Sequence, residues 1–134
     1  VMGGFRHIMH SVCLVAPLLL GACANVDVHY PDGRVERMSR AQFKAYAEQV
    51  FRRQNRVVDG LIRADAESLE VDARLLHAED AMEDACRPLI DLVSAKAEGR
   101  RMELADKLEM PRAAPACDRA VEQVEALLPT PPTF

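Results

Sequence analysis

Met38-Ser39-Arg40-Ala41-Gln42-Phe43 decides where this chain begins to fold. In a capping box, the side-chain oxygen of a serine accepts from the free backbone N–H three residues on. A Glu or Gln at that position reaches back to the serine's own N–H. Ser39 and Gln42 have this spacing, and Met38 and Phe43 stand on either side where a hydrophobic staple would close. A helix is therefore expected from Ser39. Phe43, Tyr46, Ala47, Val50, Phe51, Val57, Val58, Leu61 and Ile62 then recur near the 3.6-residue period. Lys44, Glu48, Arg52, Arg56, Asp59 and Arg63 fall on the other side. Gly60 weakens such a helix by about 1 kcal/mol relative to Ala without ending it.

Working outward toward the C-terminus, the apolar pattern continues through Leu69, Ala73, Leu76, Met82, Cys86, Leu89, Val93 and Ala97. Either one very long helix bends or a turn falls between about residues 64 and 80, and the turn is expected because a bundle must fold back to bury these stripes. Pro88 removes a helical hydrogen bond and biases Arg87 away from helical angles, which predicts a kink or restart. Gly99 after Glu98 reads as a helix end. A short helix from Arg100 to about Met110 follows, then a loop marked by Pro111 and Pro115. Pro115 suits the first position of a last helix, 116–128, with Val121, Val124, Leu127 and Leu128 apolar. Residues 129–134 form an extended Pro-rich tail.

Toward the N-terminus, Val26-Asp27-Val28-His29-Tyr30 alternates apolar and polar, and Pro31-Asp32-Gly33 has turn chemistry before Arg34-Val35-Glu36-Arg37-Met38. A short hairpin fits, either packed on the helices or serving as a spacer. The expected fold is mainly α: a small bundle of three to four helices (39–128) behind a short N-terminal β-hairpin segment (23–38).

Composition agrees. The chain has 134 residues with 21 acidic and 17 basic side chains, two Tyr, four Phe and no Trp, and Ala, Leu, Glu and Arg dominate after Ser39. Charge is uneven. Residues 34–63 hold eight basic and three acidic residues, and residues 64–91 hold two basic and nine acidic. Two readings follow: solvated helix faces that attract each other as neighbours in the bundle, or a docking surface. In the second, Arg52, Arg56 and Arg63 meet an acidic partner or anionic headgroups, and Asp80, Glu83 and Asp84 form an acidic face. The cluster His77, Glu79, Asp80, Glu83 and Asp84 resembles a weak cation site, but a hard cation wants six or more oxygens in a shaped loop and no glycine-bearing calcium loop exists here, so no metal is assigned. Ser39 is a cap, Ser68 and Ser94 have no motif around them, and no Gly-rich phosphate loop appears, so no catalytic residue or cofactor is assigned. The net negative charge argues against nucleic acid.

Leu20-Gly21-Ala22-Cys23 closes an apolar run, Val12 to Leu20, that follows Arg6. The run is too short to span a bilayer as a helix, which needs roughly 20 residues. The pattern resembles the lipobox of a bacterial lipoprotein signal peptide. The resemblance implies removal of residues 1–22, a diacylglyceryl thioether on Cys23 and acylation of the new amine. Ala24 after the cysteine implies the outer membrane, facing the periplasm. An ordinary cleaved secretory signal is the alternative, and Met2 or Met9 could begin the chain in place of Val1. In that oxidising compartment Cys86 and Cys117, left after Cys13 and Cys23 are accounted for, are expected as one disulfide closing a loop worth about 3–4 kcal/mol. There is no C-x-x-C spacing for a redox pair, and His29 and His77 are not at zinc-ligand spacing.

The expected function is therefore protein binding at the cell envelope. An inhibitor or immunity-type protein against an envelope-active enzyme or toxin is one form. An accessory subunit of a secretion or pilus machine, where self-association enters too, is another. A small ligand- or cation-binding module is the reading from a different class.

Overall fold

The computed structural model describes residues 24–67 and 72–128. Cys23, residues 1–22 and the Pro-rich tail lie outside the described residues. Two strands, β1 (Asn25–His29) and β2 (Val35–Ser39), lead into α1 (Arg40–Glu67), followed by α2 (Ala73–Ala97) and α3 (Leu104–Leu127). The chain is mainly helical, with a short antiparallel hairpin and one disulfide, as the sequence leads one to expect.

The hairpin pairs Asn25 with Ser39 and His29 with Val35. Its turn closes by the Gly33 N–H donating to the Tyr30 carbonyl at 3.0 Å, with Gly33 at φ 87°, where an L side chain is strained. Asp32 Oδ1 accepts from the Arg34 N–H at 2.9 Å. The hairpin is not a spacer. Val28 is fully buried, β1 and β2 both pack on α1, and β1 also packs on α3.

The capping box forms as read. The Ser39 N–H donates to Gln42 Oε1 at 2.8 Å, and the Gln42 N–H donates to Ser39 Oγ at 3.2 Å. α1 ends at Glu67, and α2 starts behind Asp72, whose side chain accepts from the Arg74 N–H. The fold-back thus falls within the expected window. α2 ends in a Schellman motif: the Arg100 N–H reaches the Ala95 carbonyl (2.8 Å) and the Gly99 N–H the Lys96 carbonyl (3.3 Å), with Gly99 at φ 67°.

Pro111 and Pro115 behave differently from expectation, and Pro88 brings no restart. α2 runs through Pro88, and α3 is one helix across Pro111 and Pro115 where a short helix and a loop were expected. Each proline removes one intrahelical hydrogen bond. Pro111 and Pro115 are four apart, so the bond Pro115 cannot make is to the Pro111 carbonyl, and both gaps fall on one side of the helix. Around them Ala113, Ala114 and Ala116 favour helix, while Ala114, Pro115 and Cys117 are fully buried. Packing outweighs the lost bonds.

Cys86 of α2 and Cys117 of α3 form the disulfide, with Cα atoms 4.5 Å apart and both residues fully buried. Val50, Val57 and Leu61 of α1, Ala78, Met82 and Leu89 of α2, and Ala120, Val121 and Val124 of α3 complete one core. Tyr46 meets Asp118, Arg53 meets Glu122 and Glu125, and a side chain at Gly60 would meet Leu128. Residue numbers rise together in these pairs, so α1 and α3 run parallel. α2 runs back between them in direction, and it packs far more extensively on α3 than on α1.

A candidate partner-binding face

Two sides of α1 carry charge, and they do different things. On the side toward α3, Arg53 is the centre of a seam. Its Nη1 donates to Asp118 Oδ1 (3.1 Å) and lies 3.5 Å from Glu122 Oε1, its Nε donates to Glu125 Oε2 (3.0 Å), and its Nη2 also pairs with Glu125. The side chain is only 26% exposed. The Tyr46 hydroxyl donates to the other Asp118 oxygen at 3.3 Å. Tyr30 of the hairpin lies against Tyr46, ring centres 6.3 Å apart, with the Arg34 guanidinium over its face at 4.0 Å. The Arg53 hydrogen bond holds the Glu125 carboxyl below the ordinary carboxylate range. Burial, then the Asp118 charge, pushes the Tyr46 phenol upward.

This seam ties the basic segment of α1 to α3. Among the described residues no ion pair joins α1 to α2; the cross-helix pairs run from Arg53 to α3. The sequence signals were present but were not singled out. Arg53 sits three residues after Val50 and four before Val57, inside the apolar stripe. Asp118, Glu122 and Glu125 are spaced i, i+4, i+7 and so share one face of α3.

The outward side of α1 is left to solvent. At 100° per residue Arg52, Arg56 and Arg63 fall within one narrow stripe, and all three are exposed. Ala45, Glu48, Gln49, Arg52 and Arg56 line a shallow open depression of about 410 Å³ along that stripe. Its charges are loosely held: Arg52 and Lys44 each lie 3.8 Å from Glu48, at the limit of an ion pair. Arg56 and Arg63 make no ion pair among the described residues. Every lining residue comes from one helix, so the depression is a surface, not a chamber that encloses a small ligand.

Asp80, Glu83 and Asp84 are exposed on α2. Arg87 takes two of them, at 3.7 Å to Glu83 and 2.8 Å to Asp84. They make no ion pair with the α1 stripe among the described residues. Among the described residues no three His, Cys, Asp or Glu side chains converge to hold a metal ion. No helix there is long and apolar enough to cross a membrane. Ser39 Oγ is used by the cap.

No family model, curated protein or solved structure matches this chain.

Proposed function

We propose that this is a lipoprotein of the bacterial envelope, anchored through acylated Cys23, that works by binding another protein along the outward stripe of α1. The anchor rests on the Leu20-Gly21-Ala22-Cys23 pattern. The binding face rests chiefly on one observation: of the two adjacent arginines, Arg53 is committed to α3 while Arg52, with Arg56 one turn on, is left on an open depression. Arginine on a groove without strong local pairing is suited to carboxylates of a partner, which it can grip with two parallel hydrogen bonds. An inhibitor or immunity-type role fits a small disulfide-bonded bundle with an exposed basic stripe. The machine-subunit role fits the same face.

The test is mild cross-linking in the native envelope, identification of what is captured, and rebinding of that purified protein. The double variant Arg52→Glu/Arg56→Glu should keep its melting temperature and lose about tenfold or more in affinity, mostly through slower association that also fades with salt. Unchanged affinity would return the stripe to a solvated helix face. A captured hydrolase or toxin makes the protein an inhibitor, and a multi-protein assembly makes it a subunit. Cys23→Ser should block acylation, and normal processing in that variant defeats the anchor.

A further inference from the structure

α3 begins well before the layer that covers it. Asp118 and Glu122 face α1 through Arg53, and Pro115 on the same side is fully buried. By helical rotation Leu104 and Leu108 point to that side too. α1 and β1 both pack on α3, and neither covers Leu104 or Leu108. α1 starts at Arg40, about 9 Å before Tyr46 along its axis, whereas Leu108 lies about 15 Å before Asp118 along α3, at 1.5 Å per residue. Leu104 is left 72% exposed and Leu108 69%, the two largest values among the exposed large hydrophobic residues described.

Basic residues border this overhang. Lys107 follows Leu104 by three positions, Arg112 follows Leu108 by four, and Arg101 precedes Leu104 by three. Among the described residues none of these three cations makes an ion pair. Asp106 and Glu109 rotate to other sides of the helix, and Glu103 is the N-cap residue, four positions before Lys107. On the anchored reading the attachment to lipid follows from this same end. Asn25 pairs with Ser39, the residue that caps the start of α1, and only Ala24 separates Asn25 from Cys23. Two trans peptide units reach no more than about 7.6 Å.

We propose that this end of the bundle, Leu104 and Leu108 with Arg101, Lys107 and Arg112, rests on the anionic headgroup layer of a lipid bilayer. The proposal rests on the anchored reading above, and it adds an orientation. Exposed leucines enter the boundary between headgroups and acyl chains, and basic side chains beside them meet lipid phosphates. α1 then rises away from the bilayer, carrying Arg52 and Arg56 about 18 and 24 Å along its axis from Arg40.

The chain has no Trp, so Leu108→Trp and Leu76→Trp each give a single fluorescent reporter, one on the overhang and one at an exposed site near the other end. Each full-length variant is placed in vesicles of neutral lipid, or of neutral and anionic lipid, containing brominated acyl chains. A mass spectrum of the Cys23 peptide reports acylation separately. The expected result is a blue shift and strong quenching at position 108 with anionic lipid, and water-like, unquenched emission at position 76. Adding Lys107→Glu and Arg112→Glu should weaken the quenching, by about fivefold in surface occupancy for each basic residue lost. Unquenched emission at 108 overturns the proposal, as does equal quenching at both positions. A shift at 108 that grows with protein concentration and needs no lipid also overturns it, in favour of a second copy on this face. If Cys23 proves unmodified, the anchored reading fails by itself, and quenching confined to 108 still supports the lipid-facing end.

Discussion

α2 and α1 are both fastened to α3, and by different chemistry. α2 is joined by a buried disulfide and a broad apolar contact running through Met82, Cys86 and Leu89. α1 and its hairpin are joined by a narrower apolar stripe, edged by the Arg53 seam and the Tyr30–Tyr46 contact. The first joint does not depend on pH or salt once it is oxidised. The second depends on ionised carboxylates and on one guanidinium. The half that bears the candidate binding stripe is thus the half held by adjustable contacts, and local opening of a domain follows such differences.

The largest effect should come from cutting the covalent joint. Cys86→Ala/Cys117→Ala, or reduction, removes a cross-link between residues 31 apart. In the chain-entropy account this lowers unfolding free energy by about 3–4 kcal/mol. Urea unfolding of the oxidised and reduced protein measures it directly. A loss confined to a few tenths of a kcal/mol would mean that α2 and α3 are held by packing alone, and the contrast between the two joints would collapse.

Cutting the polar joint should cost less and act locally. Arg53→Ala leaves Asp118, Glu122 and Glu125 side by side without the guanidinium that bonds them, only the Arg56 charge still acting on Glu125, for a loss of about 1–2 kcal/mol at a half-buried site. Hydrogen exchange should speed up in α1 and much less in α2. The pH dependence has a definite sign. Glu125 titrates lower in the fold than its ordinary value of 4.5, because Arg53 hydrogen-bonds its ionised form. Its contribution is complete above that value and is lost as pH falls through the lowered one. The wild type should therefore weaken below about pH 4.5, and Arg53→Ala should show a flatter acid limb there. Parallel acid limbs would remove Glu125 from the seam.

Local signals in the sequence read well where a few neighbouring residues settle the structure. Ser39 with Gln42, Gly99 after Glu98, Pro31-Asp32-Gly33 and the pair Cys86 and Cys117 all appear as their chemistry suggests. The reading failed where distant packing decides. Pro111 and Pro115 signal a break to any local rule, and burial of Ala114, Pro115 and Cys117 overrides it. Arg52, Arg56 and Arg63 could be placed on one face from spacing alone. That Arg53 turns to α3 required knowing that α1 and α3 run parallel, which no local pattern states. The acidic group Asp80, Glu83 and Asp84 is visible as composition, and Arg87 pairs with Glu83 and Asp84 from i+4 and i+3 on the same helix.

The smallest effect sharpens the comparison by making α1 more like α2. Gln54 occupies the buried stripe between Val50 and Val57 at 8% exposure, and its side-chain oxygen has no hydrogen-bond partner among the described residues. A buried acceptor that gives up water without replacing it carries a desolvation cost on the order of 1–3 kcal/mol. Gln54→Leu removes that acceptor and adds apolar contact of similar volume, while any bond made by the amide NH₂ is forfeited and the shapes differ. A net gain of about 1 kcal/mol is the expected balance. Thermal or urea unfolding reads the gain, and slower exchange in α1 should accompany it. A loss of stability would mean that the Gln54 amide NH₂ holds α1 in place. The polar character of the α1 joint would then extend into its core, and the Arg53 seam would be its outer edge.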